Sequence, residues 1–184
     1  RQGNVLNLDI LGIDADFNFR QPIGVDAAFR IGGSISYFTR FDQNLRGGKT
    51  FSVLNTTGFN NTFPSIQTQT RANIGLDLGG FGATLFANHV GSYRNWSGTT
   101  VVPITTVNGL PDSGGDRVRA NTTFDLNIAY TLPAAGWMGG SQIFVDATNL
   151  FNREPAFYNG ANGYDQYSGN PIGRVITLGL RAKF

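Results

Sequence analysis

The sequence offers few side chains for acid–base, nucleophilic or metal chemistry. It contains one histidine, His89, and no cysteine, so histidine-dependent proton transfer would have to pass through His89. Its neighbours Asn88 and Val90 supply no carboxylate to orient the ring, and a polar histidine near a strand end is the simpler interpretation. The segment D-S-G-G-D at 112–116 lacks the ligand spacing of a calcium loop, and a turn fits it better. We therefore expect no enzyme activity, no cofactor and no metal site.

Most charged side chains instead recur at alternate positions of apolar stretches. Between residues 11 and 19, for example, Asp14 and Asp16 alternate with Ile13, Ala15 and Phe17. Successive side chains of a strand point to opposite faces, so this pattern predicts strands with one polar and one apolar face. The residues predicted to share the polar face are Asp14, Asp16, Arg30, Arg40, Arg71, Asp77, Asp125, Asp146, Arg181 and Lys183.

Seven strands of this kind are predicted. They cover 11–19, 29–41, 71–78, 81–93, 123–132, 142–148 and 173–184. The apolar face of the fourth strand is left open, because Leu85 and Ala87 compete with Phe86 and Val90. The connections alternate between short turns and long loops, the long ones spanning about 42–69, 94–117 and 151–171. Short turns at one end and long loops at the other are typical of outer-membrane barrels.

The composition is compatible with a sheet that faces lipid. Charged residues make up only 14% of the 184 residues, and no run of about 18 apolar residues provides a transmembrane helix. Aromatic residues lie near predicted strand ends, as interfacial girdles require: Phe19, Tyr37, Phe41, Tyr93, Tyr130 and Phe184. A soluble sandwich or jelly roll is the alternative, although it usually has shorter loops and a more charged outer face. The formal net charge of +2 gives no reason to expect a nucleic-acid partner.

The favoured fold is therefore all-β, an antiparallel transmembrane β-barrel segment in the bacterial outer membrane. Its polar face would line the lumen, where water or a docked protein solvates charges that would cost several kcal/mol at the lipid midplane. Bacterial single-chain barrels have an even number of strands. Seven strands, with no segment resembling a signal peptide, lead us to expect the C-terminal part of a larger, processed barrel, covering residues 1–184.

The stretch from about 118 to 184 resembles the C-terminal end of TonB-dependent outer-membrane receptors. The segment N-L-F-N at 149–152 is similar to the one that closes the penultimate strand of that family and opens its last extracellular loop. Tyr164-Asp165, P-I-G-R at 171–174 and the closing L-G-L-R-A-K-F at 178–184 also match the family's last loop and strand. The segment T-F-D-L at 123–126, with Tyr130, resembles the preceding strand.

The resemblance implies energy-coupled uptake of a scarce or bulky ligand across the outer membrane, through a 22-stranded barrel with an N-terminal plug. Expected partners are outer-membrane lipid, the remaining strands and plug of the same receptor, the TonB system and the barrel-assembly machinery. The plug, the TonB box and the earlier strands are absent from this chain and are expected upstream of it. A passive porin, or a structural or adhesive barrel, remains the alternative.

Three groups of residues receive candidate roles in this interpretation. The loop residues that would either contact a ligand at the mouth of the barrel or simply pack the loops are Arg94, Trp96, Phe157, Tyr158, Tyr164 and Tyr167. The polar-face residues above would either dock the plug and line a solute path, or simply solvate the barrel wall. The resemblance implies that the closing strand, with Ile176, Leu178, Leu180 and Phe184, is the signal read by the assembly machinery.

Overall fold

The computed structural model describes residues 6–45, 50–56, 65–95, 105–107, 110–113, 117–158, 162–166 and 168–183. These residues form β-strands and connecting turns and loops, with no helix among them. In particular, the described residues contain no helix long and apolar enough to cross a membrane. Trp96, Tyr167 and Phe184 lie outside the described residues.

Twelve strands are formed by the described residues: β1 (Leu6–Pro22), β2 (Ala27–Leu45), β3 (Thr50–Ser52), β4 (Thr68–Leu78), β5 (Phe81–Val90), β6 (Tyr93–Arg94), β7 (Thr105–Val107), β8 (Leu110–Ser113), β9 (Arg117–Val118), β10 (Asn121–Thr131), β11 (Gln142–Thr148) and β12 (Val175–Arg181). Seven of them pair in the order β1-β2-β4-β5-β10-β11-β12, with β3 added beside β2. All of these pairs are antiparallel. The predicted antiparallel sheet of seven strands is thus confirmed.

The sheet is open. Among the described residues, β1 pairs only with β2 and β12 only with β11, so these two strands form its edges. The small strands β6 and β9, and likewise β7 and β8, form two-stranded sheets of their own. They lie in or beside the long connection predicted between the fourth and fifth strands, where the sequence indicated no strand apart from Tyr93 at the end of the fourth.

The register aligns the apolar side chains into rows that run across the whole sheet. One row crosses all seven strands: Phe19, Ile31, Ile74, Leu85, Leu126, Ala147 and Ile176. The parallel row two residues along contains Phe29, Leu76, Ala83, Ile128, Val145 and Leu178. Seven separate alternating patterns therefore combine into one continuous apolar face.

This apolar face is largely exposed. Ile13, Phe17 and Leu178 are 63%, 55% and 74% exposed, whereas large apolar side chains in the core of a soluble domain are mostly buried. The buried apolar cluster of the described residues lies elsewhere, around Ile66, Tyr93 and Val118 at the loop end. Within the described part of the chain, no apolar layer is thus packed against the sheet, and its exposed apolar side chains are contiguous and not scattered singly.

The opposite face carries a network of polar side chains. Arg30 donates hydrogen bonds to Asp77 at 2.9 Å and Thr84 at 3.0 Å. Along the next diagonal Arg71 donates to Asn88 at 2.7 Å, and Asn88 donates to Asp125 at 2.8 Å. Asp146 accepts from Asn127 at 2.5 Å, and Arg181 donates to Gln142 at 3.0 Å. The charged residues predicted to share a face mostly bond to one another or to amides across strands.

Two phenylalanines lie on the polar face, each beneath an arginine. The guanidinium of Arg71 lies 4.5 Å from the ring centre of Phe86, and that of Arg181 lies 5.9 Å from Phe144. Such cation–π contacts let an aromatic ring share a polar surface. The ambiguity of the fourth predicted strand is thereby resolved, since Leu85 belongs to the apolar row and Phe86 to the polar face.

A β-bulge reverses the faces that the sequence predicted for the far end of β2. Leu11 pairs with Arg40 but Gly12 pairs with Phe38, so Thr39 has no partner. Beyond this extra residue the alternation reverses, which places Arg40 on the face of Leu11 and Phe41 opposite it. Arg40 forms ion pairs with Asp9 and Asp42 at 3.0 and 4.0 Å. The prediction that Arg40 shares the face of Arg30 is wrong.

The prediction that two further aromatic residues lie in an interfacial girdle is also wrong. Phe41 and Tyr93 are buried, at 6% and 2% exposure, and both pack in the loop region. Phe19, Tyr37 and Tyr130 do lie exposed on the apolar face. The difference arises because the bulge turns Phe41 away, and because the strand predicted for 81–93 ends at Val90, so that Tyr93 starts β6.

The two ends of the sheet differ in the way the sequence predicted. The short connections lie together at one end, where Gly79 donates a backbone hydrogen bond to Asp26 and Thr131 donates one to Gly80. Gly79 has a φ of 56°, a left-handed conformation that suits glycine in so tight a turn. The long connections meet at the other end, where they bond to one another and form the candidate site.

Candidate ligand site at the loop end of the sheet

Tyr93 joins two of the long connections. Its hydroxyl donates a hydrogen bond to the Asp165 carboxylate at 2.5 Å and lies 2.9 Å from the Ser168 hydroxyl. The ring packs with Ile66 and Val118, and Val90, Ala156 and Tyr158 surround this cluster. Residues from three loops therefore share one small core. Burial raises the pKa of Tyr93 well above its ordinary range, and the hydrogen bond to Asp165 raises the pKa further.

We expect Tyr93→Phe to loosen the last loop. The change leaves the buried Asp165 carboxylate with one hydrogen-bond donor fewer, which costs about 1–2 kcal/mol of local stability. Because the folded pKa of Tyr93 is raised, its contribution is complete below pH about 10 and is lost as the pH rises beyond that. The rate of limited proteolysis by subtilisin within 165–170, followed from pH 8 to 11, measures both effects.

The matched control is Tyr130→Phe, which removes a hydroxyl from the exposed apolar face. It should digest like the wild type at every pH. The wild-type rate should rise towards that of Tyr93→Phe above pH 10. Equal rates for wild type and Tyr93→Phe at pH 8 would contradict the assigned role.

The segment N-L-F-N at 149–152 holds both ends of the last loop. Asn149 and Asn152 have left-handed φ angles of 51° and 53°, a conformation that asparagine tolerates. The Asn149 side chain bonds the backbone N–H and carbonyl of Arg153, each at 2.8 Å. The Asn152 side-chain oxygen Oδ1 accepts from the backbone N–H of Arg174 at 2.9 Å. The two asparagines thus fix the start of the loop and its return to β12.

A cavity of about 810 Å³ lies between the segment leading into β10 and the first part of the last loop. Its lining includes three arginines, Arg117, Arg119 and Arg153, and one carboxylate residue, Glu154. Arg153 donates from Nε to the Asn121 side chain at 2.8 Å, and Arg117 donates to Ser92 at 2.9 Å. A smaller cavity of about 230 Å³ adjoins Arg117 and is lined by Arg94 as well. This region is a concave, polar, basic surface.

The predicted ligand residues are distributed unevenly around these cavities. Arg94 is exposed and lies directly opposite Arg117 in the β6–β9 pair. Tyr158 packs against the core cluster, and Tyr164 forms an isolated bridge with Phe157. The half-buried side chains of these two tyrosines lie among other loop residues. Of the described candidates, Arg94 lines the smaller cavity together with Arg117, and Phe157 lines the large one. Nothing is described for Trp96 and Tyr167.

The other predicted groups lie away from this site. Asp14 and Asp16 are exposed on the polar face of β1, and Arg30, Arg71, Asp77, Asp125, Asp146 and Arg181 occupy the polar face of the other strands. Ile176, Leu178 and Leu180 are 64%, 74% and 56% exposed on edge strand β12. His89 lies 2.8 Å from the Thr122 hydroxyl, in keeping with a polar strand-end histidine.

Four residues of the site were not among those predicted from the sequence: Arg117, Arg119, Asn121 and Arg153. The spacing of Arg117 and Arg119, just before a clearly predicted strand, indicates that the two arginines lie on the same side, because residues two apart project to the same side of an extended chain. Arg153 carried no such signal, since only the fold of the last loop brings it to Asn121.

The described residues contain no group of three or more histidine, aspartate or glutamate side chains placed to hold a metal ion. The arginine and amide side chains around the cavities are suited to recognition through hydrogen bonds. Comparison with known proteins adds no assignment: no protein-family model, no curated protein and no solved structure matches this chain.

Proposed function

We propose that this chain forms part of the wall of a transmembrane β-barrel in the bacterial outer membrane. The observation that carries the proposal is the continuous, exposed apolar face that crosses seven strands. The strands β4, β5 and β10 have 11, 10 and 11 residues, and a strand that crosses a bilayer needs about 9–11. The hydrogen-bonded polar face then lines the lumen.

The open edges are consistent with a larger barrel. Each unpaired backbone group costs several kcal/mol in hydrocarbon. We therefore propose that β1 and β12 pair with further strands of the same barrel. The turn end of the sheet faces the periplasm and the loop end faces the exterior, following the general arrangement of such barrels.

Within this framework we propose energy-coupled uptake of a scarce or bulky ligand, of the TonB-dependent kind. The support is the likeness of residues 118–184 to that receptor family. The asparagines of N-L-F-N hold the last loop by hydrogen bonds, and the loop end carries a cavity large enough for a small molecule. A plug in the lumen would meet the polar network around Arg30, Arg71 and Asp125.

The test uses the full-length protein, reconstituted into a planar lipid bilayer, with the purified periplasmic domain of TonB as the probe. We expect low steady conductance, because a plug closes the lumen, together with saturable binding of the TonB domain from the periplasmic side. A large steady conductance without TonB binding would identify a passive porin. A closed barrel that binds no TonB domain would favour a structural or adhesive barrel and overturn the transport proposal.

A further inference from the structure

We propose that Arg94, Arg117, Arg119 and Arg153 form a binding site for a small, hydrophilic anion with two or more carboxylate or phosphate groups. The inference rests on the proposed uptake function and specifies the class of ligand. It follows from the concentration of guanidinium groups around two adjoining cavities, from the way they are held, and from the side of the sheet to which the cavities belong.

The site concentrates positive charge. Arg94 and Arg117 are direct cross-strand partners in β6 and β9, so the two arginines lie side by side. Arg119 lies two residues further along the same segment. The described lining of the large cavity has one carboxylate, on Glu154, and among the described residues no ion pair joins it to these arginines. An oxyanion would find several guanidinium groups within one basic region.

Two of the arginines are already oriented by protein contacts. Asn121 accepts from Nε of Arg153, and Asn149 brackets the backbone of the same residue. Ser92 accepts from Arg117. Arg119 is exposed and has no hydrogen bond or ion pair with the part of the chain that the structure describes. Guanidinium groups bind carboxylate and phosphate in a bidentate manner, so two pre-oriented groups and one adaptable group suit a multivalent anion.

The large cavity shares two lining residues with a cavity on the polar side of the sheet. Asn121 and Arg153 also line a cavity of about 150 Å³ with Asn88 and Thr123, and these two residues occupy the same face as Arg71. A lipid headgroup would be reached from the apolar side. The position therefore favours a dissolved ligand, and the volume of about 810 Å³ suits a molecule of drug-like size.

The test is isothermal titration of the full-length protein in detergent micelles with propane-1,2,3-tricarboxylate and, separately, pyrophosphate. The neutral trisaccharide raffinose serves as the uncharged probe. We expect both anions to bind and raffinose not to bind. Arg119→Gln or Arg153→Gln should weaken anion binding roughly tenfold each, because each loses a charge-assisted hydrogen bond. Arg119→Lys should fall between wild type and Arg119→Gln, since it keeps the charge but loses the fork geometry.

Arg20→Gln is the matched control, because it removes an exposed arginine near the turn end of β1. Wild-type affinity is expected for it, and heat-modifiable gel mobility verifies that each variant is folded. Equal anion affinity in wild type, Arg119→Gln and Arg153→Gln would overturn the proposal, as would equally tight binding of raffinose. Dihexanoyl phosphatidic acid is a further arm; its binding without that of the dissolved anions would overturn the assignment to a dissolved ligand.

The outcome is separable from that of the uptake proposal. Anion binding that requires Arg119 and Arg153, in a protein that binds no TonB domain, would leave this site standing and overturn TonB-dependent uptake. TonB binding with no arginine-dependent anion binding would do the reverse.

Discussion

Leu126→Arg is expected to destabilise the folded protein in a lipid bilayer by about 2–4 kcal/mol, whereas Asn127→Arg is expected to cost far less. Leu126 is the sixth of the eleven residues of β10 and is paired with Leu85 on one side and Ala147 on the other. In the proposed barrel that position is near the midplane, where no water reaches a guanidinium group.

The neighbouring position has the opposite surroundings. Asn127 donates to Asp146 on the polar face, so an arginine introduced there meets a carboxylate and the water of the lumen. The comparison is informative because both variants add the same charge and volume to the same strand, one residue apart.

The measurement is the folded fraction of each full-length variant in phosphatidylcholine vesicles across a urea series, read by heat-modifiable gel mobility. Equal loss of stability in the two variants would contradict the assignment of faces. Loss confined to Asn127→Arg would mean that the two faces are assigned the wrong way round.

A second large effect is expected for the closing strand. The double variant Leu178→Gln with Leu180→Gln should lower the level of protein assembled in the outer membrane by roughly tenfold or more, because each leucine contributes about 1.5–3 kcal/mol when its side chain leaves water. These residues pair with Val145 and Ile143 and continue the apolar rows to the edge of the sheet. An amphipathic edge strand with free backbone groups can add to another sheet edge, as recognition by an assembly machinery requires.

The control is Thr177→Gln with Arg181→Gln, on the other face of the same strand, which should assemble normally. Surface labelling of a tag within the loop at 55–62 reports the assembled level in cells, and refolding of the purified variants into vesicles reports intrinsic stability. Reduced assembly in cells with normal refolding supports the signal role. An equal defect in both assays would reduce the role of these leucines to contact with lipid, and equal assembly of both double variants would contradict it.

The seven strands of the main sheet could be predicted from the sequence because the pattern that indicates each strand lies within that strand. Alternation at every second residue fixes the face of Leu126 or Ile128 without knowledge of any partner. The face of Phe86 could not be predicted in this way, since it depends on the cation supplied by Arg71 from the neighbouring strand. Nor could the reversal at Arg40, because a bulge is a property of two paired strands and not of one.

The site was harder to predict for a related reason. Arg94 was a candidate because it opens a loop, but its proximity to Arg117 requires the pairing of β6 with β9 across more than twenty intervening residues. Tyr158 appeared to be a ligand residue by type, and only the loop packing places it beside Tyr93. The asparagines of N-L-F-N were noted for their resemblance to a family, whereas their effect is conformational, through left-handed backbone and bonds to Arg153 and Arg174.

Thr39, which has no residue opposite it in β1, divides β2 into two parts. The two parts differ in how well they tolerate the insertion of a residue. On the side of Gly33, adding or removing one residue would turn the rest of β2 inside out against its neighbours β1 and β4 and interrupt the apolar rows at β2. On the side of Phe41, β2 must agree only with β1 and the short β3. The alternation of side chains in the sheet is thereby independent of the alternation in the segment beyond the bulge. Loops of odd or even length can be exchanged beyond Thr39, in nature or in the laboratory, without rewriting the strand that bears them.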